Sequence, residues 1–124
     1  MTSFDVARWC EANRRGNAWR GYEIDQIAAE IHKAALDKLC AVVVDEQDSR
    51  KILGVCVAER ATETQLRIKQ LQCESDKAMS SMLFMFFQYY PTFELVATHG
   101  GQEKIYTNKL VRRMVKYFTA KADK

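Results

Sequence analysis

The stretch CAVVVDEQDSRKILGVCVA, residues 40–58, decides the fold. It holds two short apolar runs rich in β-branched residues, 40–44 and 52–58, and a polar segment rich in turn formers, 45–51, lies between them. Two such runs joined by a polar turn are typical of an antiparallel β-hairpin. Because both runs are apolar on both faces, we expect the hairpin to lie inside a sheet that is covered on each side.

Helical spacing of apolar residues predicts helices on both sides of this hairpin. Two amphipathic helices precede it, over 3–15 and 22–38. A third helix, over 76–89, is apolar almost all round and is therefore predicted to be the buried central helix. A last helix is predicted over 102–117, where Ile105, Leu110 and Met114 mark its apolar stripe.

Two further strands complete the predicted sheet. Segment 65–73 alternates, and segment 93–98 is a short apolar run. The strand, helix, strand order over 65–98 predicts a parallel crossover. The fold class is α+β, with a mixed sheet of about four strands in one domain, 1–118, followed by a basic tail, 119–124. One face of the third strand is predicted to carry Leu66, Ile68, Gln70 and Gln72.

Composition excludes several classes of protein. Hydrophobic residues make up 48% of the chain and charged residues 28%, a globular balance that is incompatible with wholesale disorder. No uncharged apolar run approaches the ~18–20 residues of a membrane span, so no membrane insertion is expected. The N-terminus shows no secretory signal, and the four cysteines include no C-x-x-C pair. We therefore expect a cytoplasmic protein with free thiols and no metal site.

The C-terminal part of the chain is basic. From residue 104 onward it carries seven lysines and arginines and one acid, Asp123. Two interpretations stay open: a solvated helix face, or a surface that attracts phosphates or an acidic partner. Nucleic-acid binding is not expected, because the strands offer no aromatic platform and no recognition motif is present.

The order of these elements resembles the core of the GNAT acyltransferase superfamily. Segment 51–56, KILGVC, resembles the family strand in which a charged residue precedes an "hhGhh" pattern. Segment 65–73 resembles the strand that ends in the acyl-CoA cleft, and segment 103–114 resembles the tyrosine-containing closing helix. The resemblance covers about residues 24–118, and small phage-encoded members are closest in style.

This resemblance implies a site for acetyl-CoA between the third and fourth strands, with its pyrophosphate at the start of the central helix. In family members, glycines in that turn let backbone N–H groups close on the pyrophosphate. The corresponding segment here, 73–81, has no glycine and contains Glu74 and Asp76. The cofactor-binding residues that the resemblance implies are Cys73, Lys77, Ser80 and Ser81.

The resemblance also implies candidates for proton transfer. Tyr106, on the predicted closing helix, matches the tyrosine that protonates the departing thiolate. His99 follows the fourth strand, at the carboxyl end of a parallel strand where open sheets place their sites, and could act as a base. Glu59 matches a carboxylate position that the resemblance implies as a base. Each residue also has a purely structural interpretation: a packing tyrosine, a tight turn and a solvated strand end.

Two functions of different class follow. The first is an acetyl-CoA-dependent N-acyltransferase that acts on a small amine, a protein lysine or a protein N-terminus. The second is a catalytically silent GNAT-like bacteriophage protein that binds a protein partner, as a virion component or a host-protein-binding module. The second would place the chain in the host cytoplasm or in the virion.

Overall fold

A computed structural model describes the backbone of residues 1–122 and the side chains of 1–98 and 100–120. Within this range the chain forms four helices and five strands. In chain order they are α1 (Ser3–Ala12), α2 (Ile24–Leu36), β1 (Cys40–Val44), β2 (Ile52–Arg60), β3 (Gln65–Cys73), α3 (Asp76–Tyr89), β4 (Glu94–His99), β5 (Gln102–Tyr106) and α4 (Asn108–Ala122).

The strands form one mixed sheet in the order β1-β2-β3-β4-β5. Neighbours are antiparallel except β3 and β4, which are parallel. The α+β class, the hairpin and the parallel pair around α3 are thus confirmed. The prediction that the hairpin lies inside the sheet is right for β2, which is an interior strand, and wrong for β1, which lies at the edge.

The sheet has a fifth strand where the sequence pattern predicts the start of the last helix. Gly100 and Gly101 have φ values of 58° and 80°, the left-handed backbone that a two-residue type I′ hairpin requires. They turn β4 directly into β5, so that His99 pairs with Gln102. Tyr106 therefore lies on β5, and the closing helix α4 starts at Asn108. α4 continues to Ala122, which makes residues 119–122 helical, whereas 123–124 lie outside the described residues.

The ends of the first and third helices follow from their caps. The Thr2 hydroxyl accepts a hydrogen bond from the Asp5 N–H, so Thr2 is the N-cap of α1. α1 ends at Ala12 and α2 spans Ile24–Leu36, so both are shorter than predicted. The predicted bounds of α3 are confirmed, and the Ser75 hydroxyl accepts from the Ala78 N–H at 3.1 Å.

Helices cover both faces of the sheet. α3 packs on β1, β2 and β3 and is flanked by α4, whereas α1 and α2 pack against each other and on β1 and β2. One contact identifies each face of the sheet. Gly54 lies against Met82 of α3 on one face, and the Gln72 side chain donates to the Cys10 carbonyl of α1 on the other. Phe86 at 1% exposure and Leu66 at 0% lie in the core.

A β-bulge interrupts β3. Val57 pairs with Gln70, but the next residue, Ala58, pairs with Ile68, so Lys69 is an extra residue of β3. A bulge bends its strand and shifts the side-chain alternation. The prediction that Leu66, Ile68, Gln70 and Gln72 share one face is therefore wrong: the first pair and the second pair lie on opposite faces.

Candidate functional site: a cleft between diverging strands

The parallel strands β3 and β4 stay together only at their beginnings. They pair at three positions, Gln65 with Glu94, Leu66 with Leu95 and Arg67 with Val96. Past these positions the bulge at Lys69 bends β3, while β4 continues into its hairpin with β5. A cleft of about 300 to 1,000 Å³ is typical of ligand sites, and the gap between these strands has a volume of about 720 Å³.

Four parts of the chain line this cleft. The connection between α1 and α2 forms one wall, β3 past its bulge forms another, and β4 with β5 forms the third. Met79 of α3 closes it from the helical side. The lining residues are Arg15, Gly16, Asn17, Ala18, Ile68, Lys69, Gln70, Leu71, Gln72, Cys73, Met79, Ala97, Thr98, Gly100, Lys104 and Tyr106.

The backbone of β3 presents hydrogen-bonding groups to the cleft. The Glu74 N–H donates to the Leu53 carbonyl at 3.0 Å, and Gln72 pairs with Val55 in the same ladder. Since backbone groups alternate in direction along a strand, those of Gln70 and Gln72 face β2. The N–H and C=O groups of Leu71 and Cys73 face the other way, where β4 is no longer paired with β3. An extended ligand with amide groups can bind to such a strand edge.

The described charged side chains that line the cleft are all positive. Among the described residues, its lining contains three cationic side chains, Arg15, Lys69 and Lys104, and no carboxylate. Lys69 is bound to Glu30 of α2, with 3.3 Å between Nζ and Oε2. The Lys104 ammonium lies 5.1 Å from the centre of the Tyr106 ring. A concave surface that is lined by positive charges favours an anionic ligand.

Two glutamines fasten the α1–α2 connection to β3. The Gln70 Oε1 accepts from the Trp19 N–H at 2.7 Å, and the Gln72 amide donates to the carbonyls of Cys10 and Asn13. Gln72 is 5% exposed, and its Oε1 has no partner. These glutamines hold the wall that carries Arg15, a role that the sequence analysis missed. Their sequence signal is a pair of amides two residues apart, on either side of the apolar Leu71.

Of the residues predicted for cofactor binding, Cys73 lines the cleft and three others do not. Burial raises the pKa of the Cys73 thiol, so it is a neutral thiol near pH 7. Lys77 and Ser81 line a separate cavity of about 550 Å³ beside the hairpin turn, where the Lys77 Nζ lies 4.0 Å from Oε1 of Glu46. Ser80 is buried and its hydroxyl donates to the Lys77 carbonyl.

The three residues predicted for proton transfer are also separated. Tyr106, at 7% exposure, lines the cleft from β5. Glu59 lies on β2, 3.9 Å from Arg67, and lines a small cavity of about 190 Å³ under α2 instead. His99 ends β4, and its side chain lies outside the described residues. The structure thus brings Tyr106 and Cys73 together in one cleft and places Glu59 elsewhere.

Among the described side chains, those of residues 1–98 and 100–120, no three of His, Cys, Asp or Glu are grouped so that they could hold a metal ion. Within residues 1–122 no helix combines the length and apolarity needed to cross a membrane. Comparisons of the chain with protein-family models, with curated proteins and with solved structures found no match.

Proposed function

We propose that the cleft between β3 and β4 binds an acyl-coenzyme A and that the chain is a GNAT-like N-acyltransferase. The observation that carries this proposal is the divergence of two parallel strands after three paired positions. It leaves a cleft of about 720 Å³ beside an unpaired strand edge. A site of this kind suits a long, narrow ligand that can form hydrogen bonds like those of a strand.

The residues of the cleft fit the two halves of coenzyme A differently. The amides of the pantetheine arm suit the outward N–H and C=O groups of Leu71 and Cys73. The phosphates suit the positive charge of Arg15 and Lys104. The start of α3 is less suitable for phosphates, because Glu74 and Asp76 flank its cap and no glycine opens the turn. We therefore assign the phosphate contacts to the cleft cations.

When bound, acyl-CoA supplies an activated acyl thioester. Tyr106 lines the cleft, and its hydroxyl would donate a proton to the leaving thiolate. Cys73, as a neutral thiol, is a poor nucleophile, which favours direct transfer over an acyl-cysteine intermediate. The amine substrate would take the remaining part of the cleft. Its nitrogen would form the new C–N bond as the thioester C–S bond breaks, and the proton that it loses would pass to solvent water, from which Tyr106 regains its own.

Titration calorimetry with acetyl-CoA tests the binding step. We expect saturable binding that Lys104→Gln and Arg15→Gln each weaken, because each removes a cation from the lining. Lys109→Gln, on exposed α4, is the matched control and should bind as the parent does. Tyr106→Phe should retain binding and lower turnover of an amine substrate by about 10²–10⁴-fold. Absence of any binding heat at about 1 mM acetyl-CoA would overturn the proposal. A dissociation constant above about 1 mM corresponds to a binding free energy weaker than about 4 kcal/mol.

A catalytically silent protein-binding module is the second candidate. The observation that favours it is the pair of carboxylates, Glu74 and Asp76, at the start of α3. Under this hypothesis the double variant Glu74→Gln/Asp76→Asn should create affinity for coenzyme A that the parent chain lacks. A parent chain that already binds acetyl-CoA and acetylates an amine would exclude it.

A further inference from the structure

The edge strand β1 lacks the features that usually prevent edge-to-edge pairing. Its sequence, Cys40–Val44, contains no charge and no proline. Its pairing with β2 shifts register once, between Val43 and Val44, where the extra residue, Leu53, belongs to β2. Natural sheets normally protect an exposed edge with lysines, prolines or bulges in the edge strand. β1 has no lysine and no proline, and the extra residue of the bulge lies in its neighbour.

The hydrogen-bonding groups of β1 alternate in direction. The Ala58 N–H donates to the Leu39 carbonyl at 2.8 Å, which places the backbone groups of Leu39, Ala41 and Val43 toward β2. The N–H and C=O groups of Cys40, Val42 and Val44 therefore face outward. Beyond them no further strand is present within residues 1–122.

Exposed apolar side chains of α3 lie beside this edge. Met85 and Tyr89 are 39% and 61% exposed. Met85 and Tyr89 line a cavity of about 230 Å³ against Cys40 and Ala41. Exposed apolar side chains grouped around an unpaired strand mark an interaction surface.

We infer that this edge pairs with the β1 edge of a second copy of the chain, antiparallel and centred on Val42. A two-fold axis at Val42 sets Cys40 opposite Val44 of the second copy. The outward groups of each residue then meet those of its counterpart, so every one of them is paired. An antiparallel pairing of identical strands is self-complementary, as a closed dimer requires.

The charges at the two ends of β1 support a second copy rather than an unrelated strand. Lys38 precedes the strand by two residues, and Glu46 follows it by two. The antiparallel pairing therefore brings Lys38 near Glu46 of the second copy, twice in the dimer. Glu46 is available for this contact. Its side chain is 89% exposed, and its ion pair with Lys77 of its own chain is long, at 4.0 Å. Asp37, next to Lys38, points instead into the groove that holds Lys33 and Lys69.

The dimer leaves the cleft open, since β1 lies at the edge of the sheet and the cleft lies beyond β3. The inference is thus independent of the function proposed for the cleft.

Sedimentation equilibrium tests the dimer. We expect twice the chain mass of 14.3 kDa at about 0.1 mM protein. Val42→Pro removes the outward N–H at the centre of the pairing and should weaken the dimer by about 100-fold, the loss of two hydrogen bonds. The N–H bonds to β2 are retained, and circular dichroism should confirm a folded monomer. A monomeric parent chain at this concentration would overturn the inference.

A charge exchange tests the register even if Val42→Pro does not fold. Lys38→Glu and Glu46→Lys should each weaken the dimer by about 10-fold, because each sets like charges against each other twice. The double variant should restore it. Lys109→Glu, an equal charge change on α4, should leave the dimer unchanged. A dimer that is indifferent to both single exchanges would place the interface on another face and contradict the inference.

Discussion

The two sides of β3 differ in how they are joined to the sheet. On one side β2 pairs with β3 over residues 54–60, and β2 is itself paired with β1 over 52–57. On the other side β4 meets β3 at three positions only. Val55, Cys56 and Val57 are 0%, 0% and 1% exposed, whereas the residues across the gap line a cleft.

This difference separates stability from binding. Between β1, β2 and β3 the facing backbone groups are paired and helices cover both faces of the sheet, so substitutions there should lower the free energy of unfolding. The β3–β4 side leaves backbone groups and cations facing solvent, so substitutions there should change ligand binding with less effect on folding.

The largest effect is expected from Phe86→Ala in the central helix. Phe86 is 1% exposed, and the truncation should lower the free energy of unfolding by about 3–5 kcal/mol. Urea denaturation followed by circular dichroism measures it. Phe4→Ala, at a side chain 46% exposed, is the matched control and should cost less than about 1 kcal/mol. Equal losses for the two variants would mean that α3 is not the centre of the core.

A loss of stability at high pH is expected from the buried thiols. Burial, the largest cause, raises the pKa of Cys10 to about 12 and that of Cys40 to about 11. Because the folded state keeps these thiols neutral, their contribution is intact below about pH 9 and is lost as the pH rises through 11–12. At pH 11 the Cys10 thiol alone should account for a loss of about 2–3 kcal/mol, because each pH unit above its ordinary pKa of 9.0 costs about 1.4 kcal/mol. The free energy of unfolding of Cys10→Ala, measured at pH 8 and pH 11, should fall less than that of the parent; parallel falls would contradict the assignment.

A smaller effect is expected from Gly54→Ala in β2. An added Cβ would lie 2.9 Å from Cε of Met82 and 3.0 Å from Cβ of Cys73. The methionine end can move but the cysteine Cβ cannot, so overpacking should cost about 1–3 kcal/mol. Thermal denaturation measures the loss. Gly54→Ala combined with Cys73→Gly should recover part of it; no recovery would show that the clash with Met82 dominates.

The smallest effect is expected on the basic face of α4. Lys109, Arg112, Arg113 and Lys116 are exposed, and the Arg112 Nε donates to Oδ1 of Asn108. Replacing all four with glutamine should leave both the fold and the binding of duplex DNA unchanged, because we expect no saturable binding at ~150 mM salt. Fluorescence anisotropy with labelled duplexes is the measurement. Tight binding by the parent that the four changes abolish would give this helix a nucleic-acid role.

Much of the fold could be predicted from local patterns. The hairpin, β3 and α3 have strong signals, since their periodicity and caps act within each segment. β5 was missed because Ile105, Leu110 and Met114 also fit a helical stripe, and the Gly100-Gly101 turn signal was given less weight. The bulge at Lys69 has no local signal, because it depends on how β3 pairs with β2.

The candidate site could be predicted only in part, because local sequence patterns place some of its residues and the packing of distant segments places the others. Cys73 and Tyr106 line the cleft. Each lies at the end of a strand beside the gap between β3 and β4, so small errors in the predicted strand bounds do not move its side chain out of the cleft. Lys77 and Ser81 lie on the far side of α3, which is set by the phase of the helix against the sheet. Arg15 comes from a connection far away in sequence, so only the folded chain shows that it belongs to the cleft.

Amide hydrogen exchange along β3, measured by NMR with and without acetyl-CoA, tests the central claim most directly. Without ligand, the amides of Gln70 and Gln72, bonded to β2, should exchange slowly, and those of Leu71 and Cys73, facing the cleft, should exchange fast. Acetyl-CoA should slow exchange at Leu71 and Cys73 selectively. Fast exchange at these two amides that is unchanged at saturating acetyl-CoA would contradict the claim that the cleft is an acyl-CoA site.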